Sequence, residues 1–533
     1  MATSTPLVRP PGPVALSPPG ALGSAPPGVP TRGDWWVSAA VTLFVATVCS
    51  LLAGDLVHWF MLPVIAVGVL VGADIRAWAR GGLSLVDAAG VIALLAYLGF
   101  FLAPILHVSL NSWLRYVTAP GDWRTWLGYM AILNLVSVSV YRVAHRASSH
   151  RAGRGLLESA PDAQRTVWVP RHLRVSAAVG IAVSAAANIA VWWRFGGLGG
   201  YIAAFEEDTS LFSGTGWLLG LAESLPILVA FWLIARQWGP GGSVPGKPIT
   251  GVAFIGVLAL PLVTSALTGS LRGSRVSVVI RFVWVAGLYY LSVRKIKARS
   301  LVAAALLLLG GVYMLGFYKA GGLGGLVSSV FSSETREELG EDYGRTLTAV
   351  LLGDLSRADV QARVLYGMQS YSVRDYALGS TYVGAAASFL LPDSVWPDRP
   401  ESKVGPGTRA LYGDYVASGT FRASNIYGLG GEALLNFGLF GPPVAFLLLG
   451  VIVGKTSAAA SSLAPTDPRI LLVPLIALAC VTLFLNDFDN VLHLAIVDGG
   501  LPIAVVVAGS ARWRPNFRLR GDGQLARLPS DLK

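Results

Sequence analysis

Long apolar stretches separated by short polar connections run along most of the chain. A window of about 20 residues, the length of a helix that crosses a bilayer, finds about twelve candidate spans. This pattern predicts an all-α polytopic integral membrane protein. The spans are expected near residues 35–53, 56–73, 85–106, 124–143, 173–193, 216–235, 249–268, 276–293, 299–317, 432–453, 469–485 and 490–510.

The regions outside the spans differ from one another in composition. The first residues are rich in Pro, Gly, Ala and Ser and lack the apolar core of a cleaved signal peptide, so they are predicted to be disordered. The long central connection contains an apolar part, from about Tyr376 to Leu391, that is too short to span and is expected to be interfacial or re-entrant. The predicted regions are a tail (1–34), nine spans (35–317), a connection (318–431), three spans (432–510) and a basic tail (511–533).

Composition and charge support this class and predict an orientation. Charged residues make up 13% of the chain, against about 25% in soluble domains. The net charge of +11 comes mostly from short connections between spans, so the positive-inside rule explains it without nucleic acid. That rule predicts cytoplasmic termini in the cytoplasmic membrane and an outer position for the long connection. The basic segments are those at Arg76 and Arg80, at 142–174, at 294–299 and in the tail.

Several kinds of chemistry are not indicated by the sequence. Cys49 and Cys480 both fall inside predicted spans, so neither a disulfide framework nor a cysteine metal site is readable. The nucleotide-binding, zinc and nucleophile motifs are not found, and the glycine cluster at 321–326 lacks the strand-to-helix context of a dinucleotide site. No cofactor is therefore expected. One alternative remains, a divalent ion held by carboxylates in the segment Glu206, Glu207 and Asp208.

Three arginines lie at the predicted outer start of the eighth span. Arg272 and Arg275 flank a Gly-Ser pair, and Arg281 lies about 9 Å deeper if the segment is helical. Their outer position runs against the positive-inside rule. Because guanidinium groups match phosphate oxygens with paired donors, we expect an anion clamp here. The alternative is interfacial arginines whose side chains extend toward the headgroups.

Two further polar groups are candidates for the site. Asp489 and His493 are four residues apart and therefore neighbours on a helix face, an arrangement in which a carboxylate orients a general base. The alternative is a histidine that bonds a neighbouring helix. Arg363, in the long connection, is a candidate substrate ligand, with an ordinary loop ion pair as the alternative.

The stretch RASNIYGLGGEALLNF places polar residues at the expected start of the tenth span. Glu432 and Asn436 share a helix face, and Arg422, Asn425 and Tyr427 precede a glycine-rich approach. Capping of the helix N-terminus explains part of the carboxylate's presence. We expect these residues to form one wall of a polar pocket that also holds the arginine clamp, with Arg422 on a diphosphate and Glu432 on an arginine or sugar hydroxyls.

The order of motifs resembles a known family. GSR heads a span, a long loop follows with GSTY and LPDSVWPDRP, and SNIYGLGGEALLNFGLFG leads into the next helix. This order resembles the O-antigen polymerase family of bacterial oligosaccharide repeat-unit polymerases, over roughly residues 265–455. One departure is Asp398 followed by Arg399, where a lysine near the second proline is expected.

The resemblance implies an integral glycosyltransferase of surface polysaccharide synthesis. Such enzymes join repeat units carried on polyprenyl diphosphate at the outer face of the cytoplasmic membrane, without a metal. Donor and acceptor are then both lipid-linked oligosaccharides, and a flippase and a chain-length regulator are further candidate partners. The expected catalytic residues are His493, Asp489 and Glu432, and the expected substrate ligands are Arg272, Arg275, Arg281, Arg363, Arg422, Asn425, Tyr427 and Asn436.

Four other functions stay open from the sequence. A flippase or secondary transporter also has about twelve spans, but it typically shows related halves and a site near the midplane. A ligase resembling O-antigen ligases would pass glycan to a different acceptor. A metal-dependent glycosyltransferase would use the acidic segment at 206–208, and a scaffold would have no catalytic site.

Overall fold

The computed structural model describes most of the chain between Val29 and Arg527. The described residues are 29–81, 86–114, 117–158, 167–207, 212, 215–238, 249–271, 274–294, 296–343, 346, 348, 352–353, 356–370, 376–391, 395–413, 425–463, 466–513, 517–519 and 525–527.

Helices dominate this part of the chain. The α-helices are α1 (Arg32–Leu52), α2 (Met61–Arg80), α3 (Ala88–Tyr97), α4 (Ala103–Ser109), α5 (Trp123–Glu158), α6 (Leu173–Arg194), α7 (Gly197–Glu207), α8 (Gly216–Glu223), α9 (Leu225–Gln237), α10 (Gly251–Leu271), α11 (Arg275–Ser292), α12 (Ala298–Phe331), α13 (Ser333–Tyr343), α14 (Ala358–Ser370), α15 (Ser380–Leu390), α16 (Val404–Tyr412), α17 (Gly428–Phe437), α18 (Gly441–Ser461), α19 (Val473–Leu485), α20 (Phe488–Leu492) and α21 (Gly500–Gly509). Short 3-10 helices lie at Gly54–Leu56, Gly438–Phe440 and Pro468–Leu472, and π-helical turns at Leu98–Leu102 and His493–Asp498.

Ten helical segments in the described ranges are long and apolar enough to cross a membrane. A bent pair, Phe488–Asp498 and Gly500–Gly509, meets at 48° and raises the number to eleven if it counts as one span. Val276–Ser292 is apolar but shorter. The chain is therefore an all-α multi-pass membrane protein, as the hydropathy pattern predicts. The ten segments are Arg32–Leu52, Met61–Arg80, Ala88–Ser109, Trp123–His150, Leu173–Arg194, Gly216–Gln237, Gly251–Leu271, Arg299–Phe331, Gly428–Ser461 and Pro468–Leu485.

Short polar residues fix where several of these helices begin. Thr31 and Asp34 form a capping box at the start of α1, in which each residue accepts from the backbone N–H of the other. Arg80, at the end of α2, also bonds the Asp34 carboxylate and so ties α1 to α2. Asp87 caps α3 and Ser274 caps α11. Each side chain accepts a hydrogen bond from a backbone N–H in the first turn of its helix.

Helix α18 packs very closely along α5. A Cβ at Gly450 would lie 2.5 Å from the carbonyl oxygen of Tyr141, and a Cβ at Gly454 would lie 2.7 Å from that of His145. Only glycine allows the two backbones to approach this far. The pair, spaced one helical turn apart, is the small-residue contact typical of membrane helices.

The ninth predicted span is longer than its apolar core. It is expected to end near residue 317, but α12 continues to Phe331 across a break at Gly321 and Gly322, where Gly322 has φ +61°. The Glu206 carboxylate accepts from the backbone N–H of Leu323 at 2.9 Å and so helps to restart the helix. The window misses this extension because glycines and serines lower the mean hydropathy without ending the helix.

The described part of the connection after α12 contains four α-helices, α13 to α16, called here the loop helices. Helix α14 packs against α4, α5, α16 and α17, and its Ala362 and Val364 are fully buried in a core that also contains Leu127 and Leu411. The connection is therefore docked onto one end of the helix bundle. That end, where α4 and α19 finish and α5 and α17 begin, is called the loop face.

Two pairs of short strands occur among the described residues. β1 (Val167–Pro170) pairs antiparallel with β2 (Ser510–Trp513), and β3 (Phe517–Leu519) pairs with β4 (Leu525–Arg527). The first pair joins the connection before α6 to the end of α21. Part of the segment predicted as a basic tail is therefore paired with the rest of the chain.

Candidate functional site

Asp487 lies at the centre of a polar cluster on the loop face, in the turn between α19 and α20. Its side chain is fully buried. Oδ1 accepts the backbone N–H groups of Tyr427 at 2.9 Å and of Gly428 at 2.8 Å. Gly428 has φ +70°, a conformation that glycine adopts without strain, and it turns both N–H groups toward one carboxylate. Asp487 therefore fixes the start of α17.

Lys403, immediately before α16, is the cation of this cluster. Its Nζ donates to Oδ2 of Asp487 and, at 3.2 Å, to Oδ1 of Asp489. Burial disfavours the charged form, but the two carboxylates outweigh it and raise the pKa of Lys403 above its ordinary value. The lysine is therefore charged at neutral pH, and its ion pair joins the loop helices to the start of α20.

Glu432 and Asn436 lie on the face of α17 that points into the loop helices. Glu432 accepts the Thr381 hydroxyl at 3.0 Å and the Phe488 backbone N–H at 2.7 Å. Asn436 donates from Nδ2 to Thr381 Oγ1 at 2.7 Å, and its Oδ1 accepts the N–H of Gly379 at 2.9 Å. One hydroxyl thus bridges the two side chains, and both bind the start of α15.

The capping interpretation of Glu432 is wrong. Helix α17 begins at Gly428, so Glu432 lies in the second turn. Its two oxygens bond α15 and the start of α20, and not the first N–H groups of its own helix. The carboxylate therefore joins three elements on the loop face.

These contacts form one continuous set, which we call the junction network. Gln361 on α14 extends it by donating from Nε2 to the carbonyl oxygen of Tyr427 at 2.9 Å. The network thus contains residues from α14, α15, α17 and α20 and from the start of α16. Its members are Gln361, Thr381, Lys403, Glu432, Asn436, Asp487 and Asp489.

An aromatic surface borders the junction network. The Tyr382 ring stacks on Phe437 at 6.4 Å and meets Phe488 edge-on at 5.6 Å. Tyr376 lies over Gly438, where a Cβ would come within 2.8 Å of its ring. Tyr376 and Phe437 are 46% and 45% exposed, respectively. The loop face therefore presents large ring faces next to buried charges.

The predicted pairing of Asp489 with His493 is wrong. Oδ1 of Asp489 accepts Lys403 Nζ at 3.2 Å, the Asn490 N–H at 2.8 Å and Asn490 Nδ2 at 3.0 Å. The His493 ring instead lies edge-on to Phe389, with ring centroids 6.1 Å apart. The backbone between the two residues is α-helical, since the His493 N–H donates to the carbonyl oxygen of Asp489. The pairing fails because the Asp489 carboxylate bonds Lys403 and Asn490 instead.

Arg281 is not a free anion clamp. It is buried, and its Nη2 donates to Glu223 at 2.8 Å and to Asp498 at 2.6 Å. Further donors bond the carbonyl oxygens of Glu223 and Ser277, both at 3.4 Å. The prediction that Arg281 binds substrate is therefore replaced by a buried ion cluster that joins α8, α11 and the turn before α21.

Of the four other arginines predicted to bind substrate, the structure describes the side chain of Arg363 alone. Arg272 and Arg422 lie outside the described residues, and of Arg275 only the backbone, which begins α11, is described. Arg363 is buried, with its guanidinium 4.7 Å from the ring centre of Tyr366 on the same helix. The structure therefore does not bring Arg363 to an open substrate surface.

Tyr427 and Asn425 precede α17 as predicted. Tyr427 is fully buried, and its hydroxyl lies where a Cβ on Gly407 would approach to 1.9 Å. Its side chain therefore packs α16 against α17, a structural contact in place of the predicted contact with substrate. Asn425 is half-buried beside it.

Sequence reasoning missed four members of the network: Gln361, Thr381, Lys403 and Asp487. Two of them carry a readable signal. Asp487 lies two residues before Asp489 in NDFDN, and Lys403 follows Pro400 closely, in the region where the resemblance leads one to expect a lysine. Among the residues that the structure describes, no group of three His, Cys, Asp or Glu side chains is arranged so that it could hold a metal ion.

Comparison of the chain with protein-family models, curated proteins and solved structures finds no match.

Proposed function

We propose that the chain is a metal-independent membrane glycosyltransferase that polymerises oligosaccharide repeat units carried on polyprenyl diphosphate. The observation that carries this proposal is the junction network. One lysine and three carboxylates meet where loop helices dock onto the ends of membrane helices. Charged groups beside a bilayer are costly and therefore mark functional sites by default.

The depth of the network suits a substrate with a lipid anchor. The network lies at the ends of α17 and α19, at one limit of the apolar segments. A polyprenyl diphosphate holds its phosphates at headgroup level, with the glycan outside and the chain in the bilayer. The bond that reacts, between the first sugar and the diphosphate, therefore lies at the level of the network.

The aromatic border supports a carbohydrate ligand. Sugar rings present apolar C–H faces that stack on aromatic rings, while their hydroxyl groups need hydrogen-bond partners. Tyr376, Tyr382 and Phe437 supply such ring faces beside the polar groups of the network. An apolar surface with a few converging polar groups is the usual composition of a small-molecule site.

The remaining parts of the proposal follow from the motifs. The positive-inside rule favours cytoplasmic termini and an outer loop face in the cytoplasmic membrane. Arg272, Arg275 and Arg422 are proposed to bind the diphosphate and to stabilise the charge that develops as the glycosidic bond breaks. The growing chain is the donor and a single lipid-linked unit is the acceptor, in keeping with the resemblance to O-antigen polymerases.

A transporter of lipid-linked glycans is a second candidate. The observation that favours it is the buried cluster of Arg281, Glu223 and Asp498 inside the helix bundle. Ionisable groups among spans are found in the ion pathways of transporters. The two candidates differ in product, because a transporter moves the lipid across the bilayer and leaves the glycan unchanged.

Reconstitution separates these functions. The purified chain is placed in liposomes with the lipid-linked oligosaccharide fraction extracted from its host after deletion of the gene. We expect a ladder of glycans that differ by one repeat unit, unaffected by EDTA. Transfer of units to a different acceptor would indicate a ligase, and movement of unextended units to the opposite leaflet would indicate a transporter.

A further inference from the structure

Asp489 is the accessible acid of the junction network. Its side chain is 33% exposed, whereas Glu432 and Asp487 are buried. Oδ1 is fixed by Lys403 and by the N–H groups of Asn490. Within the described part of the chain, Oδ2 has no hydrogen-bond partner. One oxygen of this carboxylate is therefore held in place, and the other is open to a ligand.

The residue that holds Asp489 is itself rigidly held. Lys403 Nζ lies between Asp487 and Asp489, and Asp487 is in turn fixed by the backbone N–H groups of Tyr427 and Gly428. A continuous series of bonds therefore runs from the backbone of α17 to Asp489.

We infer that Asp489 is the catalytic base of the glycosyl transfer and that Lys403 is the residue that positions it. The inference rests on the proposed function. Oδ2 of Asp489 takes the proton of the acceptor hydroxyl, and that hydroxyl oxygen bonds to the anomeric carbon of the donor sugar. The bond between this carbon and the phosphate oxygen breaks, and its electron pair leaves with the polyprenyl diphosphate. The proton then passes from Asp489 to solvent.

Several charged groups surround Asp489. Lys403 contacts it from the start of α16, Asp487 precedes it by two residues, and Glu432 faces it from α17. Only Lys403 is positive and in contact. Loss of this contact is therefore expected to leave Asp489 less firmly held and to lower kcat, with little change in the KM for the acceptor.

Three variants test the inference in the liposome assay, in which kcat and the KM for the acceptor are both measured. Asp489→Asn keeps an oxygen for Lys403 and Asn490 but cannot accept the proton. The double variant Lys403→Met/Asp487→Asn removes both charges of the buried pair together, so no buried charge is left unpaired. Glu401→Gln changes an exposed acid of the same connection outside the network and serves as the control. Thermal unfolding of each purified variant establishes that it is folded.

Asp489→Asn is expected to lose about 100-fold or more in kcat, while Glu401→Gln matches the wild type. The double variant is expected to lose about 10-fold or more in kcat, with the KM for the acceptor close to the wild-type value, because the base is present but no longer held in place. Full activity of folded Asp489→Asn would overturn the base, and an unchanged kcat in the folded double variant would overturn the positioning role. If the wild type itself makes no ladder, the proposed function fails first, and the base with it.

Discussion

Lys403 and Asp487 form a buried ion pair although 84 residues separate them in the sequence. The pair connects a loop helix to the turn between two membrane helices, and it lies within hydrogen-bond distance of the backbone that begins α17. Glu432 and Asn436 are held from the other side by Thr381. The loop helices and the spans therefore share one polar centre.

The buried pair predicts an asymmetry between two variants of Asp487. Asp487→Ala leaves the Lys403 charge and two backbone N–H groups without their partner, so we expect a loss of about 3 to 5 kcal/mol in stability. Asp487→Asn keeps an oxygen for the two N–H groups and should cost less. Thermal unfolding in detergent measures both. Equal stability of Asp487→Ala and the wild type would show that the pair is not part of the folded state.

The contact between α18 and α5 predicts which glycines tolerate a methyl group. Gly450→Ala and Gly454→Ala place a Cβ against backbone atoms of α5, which side-chain movement cannot relieve, and we expect each to cost about 1 to 3 kcal/mol. Gly310→Ala in α12 is the control, because nothing lies within 4 Å of its added Cβ. Unfolding temperatures and membrane levels of the three variants are compared. A larger loss in Gly310→Ala than in Gly450→Ala would contradict the packing.

Arg281 is expected to act through its ion cluster. Arg281→Met leaves the carboxylates of Glu223 and Asp498 without their shared cation, and we expect a loss of about 3 to 5 kcal/mol and reduced membrane levels. Arg294→Met removes an exposed arginine just after α11 and should change neither. Membrane levels and unfolding temperatures measure the effect. A stable Arg281→Met that loses only glycan activity would restore Arg281 as a substrate ligand.

Hydropathy alone predicts most of the fold, because a spanning helix must satisfy all its backbone hydrogen bonds internally and carry an apolar surface. Helical periodicity also places Glu432 and Asn436 on one face. Neither pattern identifies the partners of these residues. Arg281 meets Asp498 across 217 residues, and such contacts depend on how the helices pack.

The local errors also have physical causes. The α-helical spacing of Asp489 and His493 holds in the backbone, but the Asp489 carboxylate bonds Lys403 and Asn490 and so does not orient the His493 ring. The predicted end of the ninth span follows mean hydropathy, whereas α12 continues through Gly321 and Gly322 with help from Glu206. In both places a contact or turn that lies outside the local pattern determines the geometry.

The orientation of the bundle is tested by labelling. Cys49 and Cys480 are first replaced by serine. A single cysteine is then introduced either at Glu401, on the loop face, or at Arg294, in the basic connection after α11. A membrane-impermeant maleimide on whole cells should label only Glu401→Cys, because the positive-inside rule keeps the basic connections in the cytoplasm. Labelling of Arg294→Cys alone would reverse the proposed topology.

The central claim is that the junction network on the loop face polymerises lipid-linked glycan. The most direct measurement is the length distribution of surface polysaccharide in a host strain that lacks the gene and receives either the wild-type chain or Glu432→Gln at equal membrane levels. We expect a full ladder with the wild type and single repeat units with Glu432→Gln, because an amide has one acceptor oxygen and leaves either the Thr381 hydroxyl or the Phe488 N–H without its partner. Single repeat units with the wild type, or an unchanged ladder with Glu432→Gln, would contradict the claim.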